Sequence, residues 1–248
     1  MQQNIDKYTS LFSTISLSEM ENVTLLNRMD KKFYFKIEKL ETVLSQMAPF
    51  YRLLEVNGIS LQRYVSPYYD TEKFSLYNQH QNGIQNRYKI RFRNYVDSQL
   101  CFFEIKHKNN KGRTLKQRLS TKEMQLNSEV VNFLTEKTSL NAAYLQHKLT
   151  VSYSRLTFVN INKCERVTLD LFLSCKNNSD AIELSNLVVA EVKQDKSSLN
   201  SEFIKVMNQQ KINEGGISKY CLGIALLYPD LKKNLFKEQI NTLKKIIS

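Results

Sequence analysis

The 248-residue sequence is short of the residues that punctuate chains, with six glycines, three prolines and no tryptophan. So thin a supply of Gly and Pro leaves no linker-like tract and no visible domain boundary, and residues 1–248 read as one domain. No run of about 18 apolar residues occurs, so no helix is expected to span a membrane. The opening MQQNIDKYTSLFSTISL has no basic segment leading into a continuous apolar one, which argues against a secretory signal. Cys101, Cys164, Cys175 and Cys221 lack any C-x-x-C spacing and read as reduced packing thiols of a cytoplasmic protein. His80, His107 and His147 show no metal-ligand spacing and read as solvated or hydrogen-bonded singletons. A phosphate-cradling glycine loop is missing as well, since NEGGISKY (213–220) spaces its glycines and lysine wrongly for one. Neither the kinase motif set, nor G-x-S-x-G, nor a Cys/His pairing is present. Acidic residues are also scarce: 24 Asp+Glu against 36 Lys+Arg leave a net charge of +12. That excess asks for a polyanionic partner, whether nucleic acid, an anionic membrane or a phosphorylated small molecule.

What is present is alternation. Strands are expected at 29–37, 60–71, 86–95, 100–108, 114–119, 150–161, 164–174 and 187–194. Helices are expected at 16–26, with Ser16 or Ser18 as N-cap, at 38–50, at 72–83 closed by Gly83, as two helices within 121–147, at 197–211 and at 231–247. Without a dominant βαβ alternation, the fold class is α+β with a large antiparallel sheet.

In RYKIRFRNY, Arg87, Lys89, Arg91 and Arg93 occupy every second position, with Tyr88, Ile90 and Phe92 between them. A strand sends alternate side chains to opposite faces, so four cations share one face. The pattern recurs. Glu104, Lys106 and Lys108 oppose Phe103 and Ile105; Lys116 goes with Arg118, Tyr153 with Arg155, Arg166 with Thr168 and Asp170, and Glu191 with Lys193 and Asp195. One such strand would pass for the solvated face of a sheet. Six strands favouring Arg and Lys over Thr, Ser and Gln do not. Two cations ~6 Å apart at an effective dielectric near 20 repel by roughly 3 kcal/mol, and a fold accumulates that strain where a polyanion relieves it. The expected arrangement is a closed or cupped barrel, charged inside and apolar outside beneath helices. A polyphosphate also needs a divalent metal to bridge its oxygens, held by one or two carboxylates. Glu191, in the most apolar of these strands, is the first choice, and Glu104 the second.

Taken in order, LLNRMDKKFYF, YVSPYYDT, LYNQHQNG, RYKIRFRNY, CFFEIKHKNNKGRTLKQR, YSRLTF, RVTLD, VVAEVKQ and SKYCLG resemble the VTC domain over roughly residues 17–225. This is the catalytic domain of the polyphosphate polymerase in the vacuolar transporter chaperone complex. The EIK pair also resembles the signature of the wider triphosphate tunnel metalloenzymes, the CYTH-like superfamily. The resemblance implies an eight-stranded antiparallel β-barrel tunnel with a basic interior and helices packed outside. By motif, Arg91, Arg93, Lys106, Arg155 and Lys219 would carry the chemistry. Lys32 (with Lys31 beside it), Lys116 and Tyr153 would bind phosphates, and Lys89, Arg118, Arg166 and Lys193 line up with them. Glu191, aided by Glu104, would hold Mn²⁺ or Mg²⁺. The chain has no room for the SPX domain or membrane segments of the eukaryotic assemblies, so a free-standing bacterial form is expected, cytoplasmic or peripheral to the inner membrane face.

The function this implies is a polyphosphate polymerase using ATP or another triphosphate and inorganic polyphosphate. Hydrolysis of triphosphates in the same tunnel and non-catalytic polyphosphate binding stand as alternatives. Specific nucleic-acid binding is not expected, because the aromatics of 86–95 alternate away from its cations. The terminal segment 231–247, basic and amphipathic, is expected to pack on the barrel's outer face, with an anionic membrane or a membrane-protein partner left open.

Overall fold

The computed structural model describes residues 2–21, 28–111, 113–195 and 200–247. Its strands are β1 (Thr14–Ile15), β2 (Arg28–Lys36), β3 (Tyr51–Leu54), β4 (Gln62–Thr71), β5 (Arg87–Tyr95), β6 (Leu100–Lys108), β7 (Thr114–Thr121), β8 (Leu145–Asn160), β9 (Glu165–Lys176), β10 (Ala181–Leu184), β11 (Leu187–Asp195) and β12 (Glu214–Gly215). Its helices are α1 (Gln2–Thr9), α2 (Leu17–Glu21), α3 (Leu40–Met47), α4 (Ser75–Gln81), α5 (Ser128–Lys137), α6 (Glu202–Gln209), α7 (Lys219–Leu227) and α8 (Lys237–Ile247).

All eight expected strands form, and local chemistry explains several helix starts. Ser16 caps α2 with a capping box: its hydroxyl accepts from the Glu19 amide while the Glu19 carboxylate accepts from the Ser16 amide. The rest of the expected 16–26 helix, from 22 onward, lies outside the described residues, as does 197–199 of the 197–211 helix. The two helices expected within 121–147 are corrected. Only α5 forms, capped by Asn127, and a 3₁₀ turn at Ala142–Tyr144 leads straight into β8. Residues 145–149 are drawn into the sheet by pairing with the end of β4, from Thr71↔Leu145 to Tyr68↔Leu149; this long-range ladder overrides local helix preference.

Eight long strands run in the order β2-β11-β9-β8-β4-β5-β6-β7, each antiparallel to its neighbours, with β12 beyond β2 and the short β1, β3 and β10 attached at the sides. The expected closed eight-stranded barrel is corrected twice. The sheet has 12 strands, and among the described residues no ladder joins β7 to β2. The outer edge of β2 is already taken by β12, through Glu214↔Phe33 and Gly215↔Lys32. The polar β7, with Lys116 and Arg118, makes the kind of charged free edge that resists further pairing.

The open sheet is nevertheless curled. Tyr34 on β2 and Tyr68 on β4 are four strand steps apart in the sheet order, about 19 Å if the sheet were flat. Both are nonetheless buried in one cluster around α7. The sheet therefore bends round that helix as a trough.

The outside of the trough is apolar, as the alternation requires. Phe33, Phe35, Leu156, Phe158, Val167, Leu169, Val188, Ala190 and Val192 pack beneath α1, α3 and α6. Ile90, Phe92, Phe103 and Ile105 pack beneath α5. Inside, one end is filled by α7, which reads in sequence as an unbroken apolar run because it is buried nearly all round. Its cluster joins Leu149, Val151, Leu173, Cys175 and Val189 with Ile240 and Leu243 of α8. The expected seat of the terminal helix on the outer face is thereby corrected: its apolar stripe completes this inner cluster and its lysines stay exposed.

A β-carbon on Gly223 would lie 2.6 Å from Leu149 Cδ2 and 3.0 Å from Cys175 Sγ. Gly223→Ala is expected to destabilise by about 1–3 kcal/mol from overpacking, less the ~1 kcal/mol that Ala gains in a helix. A thermal melt that shows no loss would mean that α7 is not held this tightly.

Candidate functional site

The concave face carries three clusters, each built by cross-strand register. In the first, Arg91 on β5 lies opposite Glu104 on β6. Arg91 Nε and Nη2 donate to Glu104 Oε2 at 2.7 and 2.5 Å, and Nη1 donates to the Tyr68 hydroxyl at 2.7 Å. Lys116 Nζ stands 2.6 Å from Glu104 Oε1, and Arg93 Nε 3.7 Å from Oε2. Burial alone would raise the Glu104 pKa, but Arg91, Arg93 and Lys116 bring it down to about 2.

In the second, Arg155 on β8 faces Asp170 on β9. Its Nε and Nη2 donate to Oδ1 at 2.5 Å and Oδ2 at 2.9 Å, and Lys219 Nζ pairs with Oδ2 from the first turn of α7. Against the cost of burial, these two cations hold Asp170 well below the usual carboxylate range. Tyr153 is also pulled down overall: burial opposes ionisation, while Arg93, Arg155 and Lys219 favour it.

In the third, Glu191 on β11 lies opposite Lys32 on β2, with Lys32 Nζ 3.9 Å and Lys193 Nζ 3.4 Å from its oxygens. Burial is again outweighed, here by Lys193, Lys32, Arg155 and Lys219, and Glu191 falls to about 2. Lys31, the neighbour of Lys32, pairs instead with Glu214 of β12 at 3.2 Å.

These clusters bring together Lys32, Arg91, Arg93, Glu104, Lys116, Tyr153, Arg155, Glu191, Lys193 and Lys219. Lys89 and Lys106 stand opposite each other one register step along the same wall. Arg118 lies directly opposite Glu104 in the β6–β7 ladder, with its guanidinium over the Phe102 ring at 4.9 Å. Arg166 reaches the Met20 carbonyl at 3.5 Å, away from the three clusters' carboxylates.

Sequence reasoning missed a floor of tyrosines. Tyr64 lies stacked on Tyr153 at 5.1 Å, with the guanidiniums of Arg93 and Arg155 over its ring at 5.9 and 5.2 Å, and Tyr68 lies beneath Arg91 at 5.5 Å. Cations over ring faces gain attraction and are held in place. The signal was there: Tyr64, Ser66, Tyr68 and Asp70 alternate along YVSPYYD and so share the face of the cations. Asp70 was missed too. It is fully buried, accepts from the amides of Thr71, Leu76 and Tyr77 and from the Tyr220 hydroxyl, and so ties α4 and α7 together beside Lys219.

The sequence matches the family described as the VTC domain over residues 27–228. The chain belongs to the VTC domain family. Solved structures of similar architecture are distant in sequence. A candidate adenylate cyclase from Bacillus halodurans is 17% identical, with a TM-score of 0.50 over 77% of this chain and 94% of that one. A candidate adenylate cyclase from Vibrio parahaemolyticus is 10% identical, with a TM-score of 0.48 over 79% and 98%. A Hippeastrum candidate adenylyl cyclase with a dominant triphosphatase activity is 12% identical, with a TM-score of 0.44 over 79% and 96%. At such identities the first of these shows a shared fold and nothing about chemistry. No curated protein sequence matches the chain.

The resemblance in the sequence implied a divalent metal, and the residues of this VTC domain can be tested for one. Among the described residues no three His, Cys, Asp or Glu side chains gather into a ready-made metal site. Glu104 and Asp170 have their oxygens engaged by cations. Glu191 is ionised and 22% exposed, and its lysines stand 3.4 Å or more away. A single carboxylate of this kind fits Mg²⁺ or Mn²⁺ completed by substrate phosphates and water, which leaves Glu104 as an anchor for Arg91.

Proposed function

We propose that this VTC domain is a polyphosphate polymerase that transfers the γ-phosphoryl group of ATP to the end of an inorganic polyphosphate chain. The supporting observation is the length of its cation line. From Arg93 through Arg91 and Lys89 to Arg87, one face of β5 carries a cation at every second residue, about 20 Å in all. A single triphosphate has no use for so long a track; a threaded chain does.

Arg91, Arg93, Arg155 and Lys219 would neutralise the reacting phosphates. Their charged heads, three guanidiniums and the Lys219 ammonium, are held in advance by Glu104, Asp170 and the tyrosine floor, so little reorganisation accompanies reaction. A terminal phosphate oxygen of the acceptor attacks the γ-phosphorus, the bond to the bridging β–γ oxygen breaks, and ADP leaves. The attacking oxygen is already anionic, so positioning and charge neutralisation suffice without a protein base. Mn²⁺ or Mg²⁺, held by Glu191, would add charge neutralisation at the phosphate oxygens.

Purified protein with ATP and Mn²⁺ is expected to give a ladder of chains on a polyphosphate gel. Glu191→Gln is expected to reduce turnover about 10–100-fold and to blunt its metal dependence, with polyphosphate binding retained. Released phosphate without a ladder would make the protein a triphosphatase. Neither product, with ATP still raising the melting temperature, would leave a binding protein.

A further inference from the structure

The segment NEGGISKY (213–220), spaced wrongly for a phosphate loop, serves the fold as a strap. It follows α6, which packs on the convex side with Phe33, and enters α7, which packs inside with Tyr34. Between the two helices the chain passes round the outer edge of β2, where Glu214 and Gly215 form β12 against Phe33 and Lys32. Lys219, the first residue of α7, therefore reaches Asp170 from a strap and not from a strand of the sheet.

Tyr34 holds that strap in two ways. A β-carbon built on Gly215 would fall 2.0 Å from Tyr34 Cε2 and 2.4 Å from Cδ2, so the ring fills the space that a side chain would need. The hydroxyl of the same ring donates to the Ile217 carbonyl at 2.5 Å, two residues before Lys219. What Gly215 supplies is room and not backbone freedom. Neither it nor Gly216 has a positive φ, and a β-carbon on Gly216 would meet nothing closer than Gln239 Nε2 at 3.5 Å. Burial, and after it the Glu191 carboxylate, push the Tyr34 hydroxyl above the ordinary tyrosine range, so it stays a donor. On the far side of Lys219, the Tyr220 hydroxyl is anchored to Asp70. Lys219 is thus bracketed by two fixed points, and the Tyr34 one stands on β2, two residues from Lys32 of the third cluster.

Resting on the reading that Lys219 neutralises the reacting phosphates, we infer that Tyr34 and Gly215 are positioning residues for Lys219. Ring and glycine set how closely the strap lies on β2, and the hydroxyl sets where α7 begins. A lysine on its flexible four-carbon stem can pair with Asp170 from many backbone positions; from few of them can it also face a phosphate. An added methyl at Gly215 must drive ring and strap apart, from 2.0 Å to the ~3.4 Å of ordinary contact. Shifts of about 1 Å away from the chemistry can lower turnover about 100-fold.

The test is a double-mutant cycle on the whole protein, read by calorimetric titration with tripolyphosphate. That ligand reports on the site whether the trough polymerises, hydrolyses or only holds phosphates. Lys219→Met is expected to weaken binding about tenfold, the loss of one charge-assisted contact. Tyr34→Phe keeps the ring and is expected to weaken binding about fivefold alone and in the Glu191→Gln background, yet to add nothing in the Lys219→Met background. Gly215→Ala should weaken it about as much as Lys219→Met, while Gly216→Ala leaves it where it was. Melting temperatures identify a Gly215→Ala protein that has unfolded, and the Tyr34→Phe cycle decides without it. No effect of Tyr34→Phe, an effect that persists beside Lys219→Met, or equal effects of the two glycine variants overturns the positioning role and leaves the polymerase reading standing. Tripolyphosphate that fails to bind the unmodified protein, or that binds Lys219→Met as tightly, overturns the phosphate role of Lys219 and the positioning role with it.

Discussion

Arg91→Ala is expected to reduce turnover by 10³-fold or more and to cost about 3 kcal/mol of stability. The catalytic part follows from position: Arg91 lies mid-line on the concave face, fixed by three hydrogen bonds to Glu104 and Tyr68. The stability part follows from what is left behind. Glu104 is 2% exposed, and with Arg91 gone it keeps only Lys116 and the more distant Arg93. Acid titration separates this account from simple loss of packing. Glu104 falls from the ordinary 4.5 to about 2 in the folded protein. A carboxylate depressed by folding contributes stability that is present above its unfolded pKa and is lost as pH falls through the folded one. In the unmodified protein that loss occupies the window from about pH 4.5 down to about 2. In the variant the folded pKa moves up, so less stability is lost over the acid range and the gap between the two proteins narrows as pH falls. Denaturant melts at several pH values check this; a gap that stays constant to the acid end would mean that the ion pair contributes nothing. Arg91→Lys should recover part of the stability but little of the turnover, because a lysine lacks the planar fork that serves Glu104 and Tyr68 at once.

How much of this was legible in the sequence depended on range. The alternation of Arg87, Lys89, Arg91 and Arg93 is a local signal, and so is the matching alternation in FFEIKHK; a short hairpin between them places Arg91 against Glu104 almost unaided. Tyr64 and Tyr68 were equally legible, but aromatic alternation reads first as core. Lys219 was not. It owes its place to α7, whose nearly all-apolar sequence has no helical stripe because every side of it is covered, and to Ser218 and Tyr220, which fix that helix's start through the Cys221 amide and Asp70. The first half of β8 was hidden for a related reason: its strand state comes from pairing with β4, some 80 residues earlier. The alternation pointed to a closed or cupped barrel and the resemblance to a closed one; an open sheet is what forms. Nothing local announces β12, two residues long, which takes the edge that a closing strand would need.

Raising pH should move stability and polyanion binding in opposite directions. Burial, together with neighbouring cations that include Lys32, lowers Lys89 and Lys106 from 10.5 to about 8. A lysine depressed by folding makes the unfolded chain the better proton acceptor between its folded and unfolded pKa values, so stability rises with pH across that window, from about 8 toward 10.5. The rise ends where buried tyrosines take over: Tyr64 and Tyr77 are pushed up to about 12, mainly by burial. The folded state keeps their protons while the unfolded chain gives them up, and the slope reverses above about pH 10. Bound polyphosphate needs both lysines charged, so over the same window its affinity should fall by up to about tenfold per pH unit for each lysine, with proton uptake on binding. Lys89→Met with Lys106→Met should flatten both slopes, melting higher than the unmodified protein at neutral pH and binding polyphosphate far more weakly. Melting curves across the window, paired with calorimetry in two buffers of different ionisation enthalpy, measure both. Affinity that holds steady to pH 10 would show that these lysines carry no part of the chain. A trough that grows more stable as its cations discharge is one whose charges are kept for a ligand, at the expense of the fold.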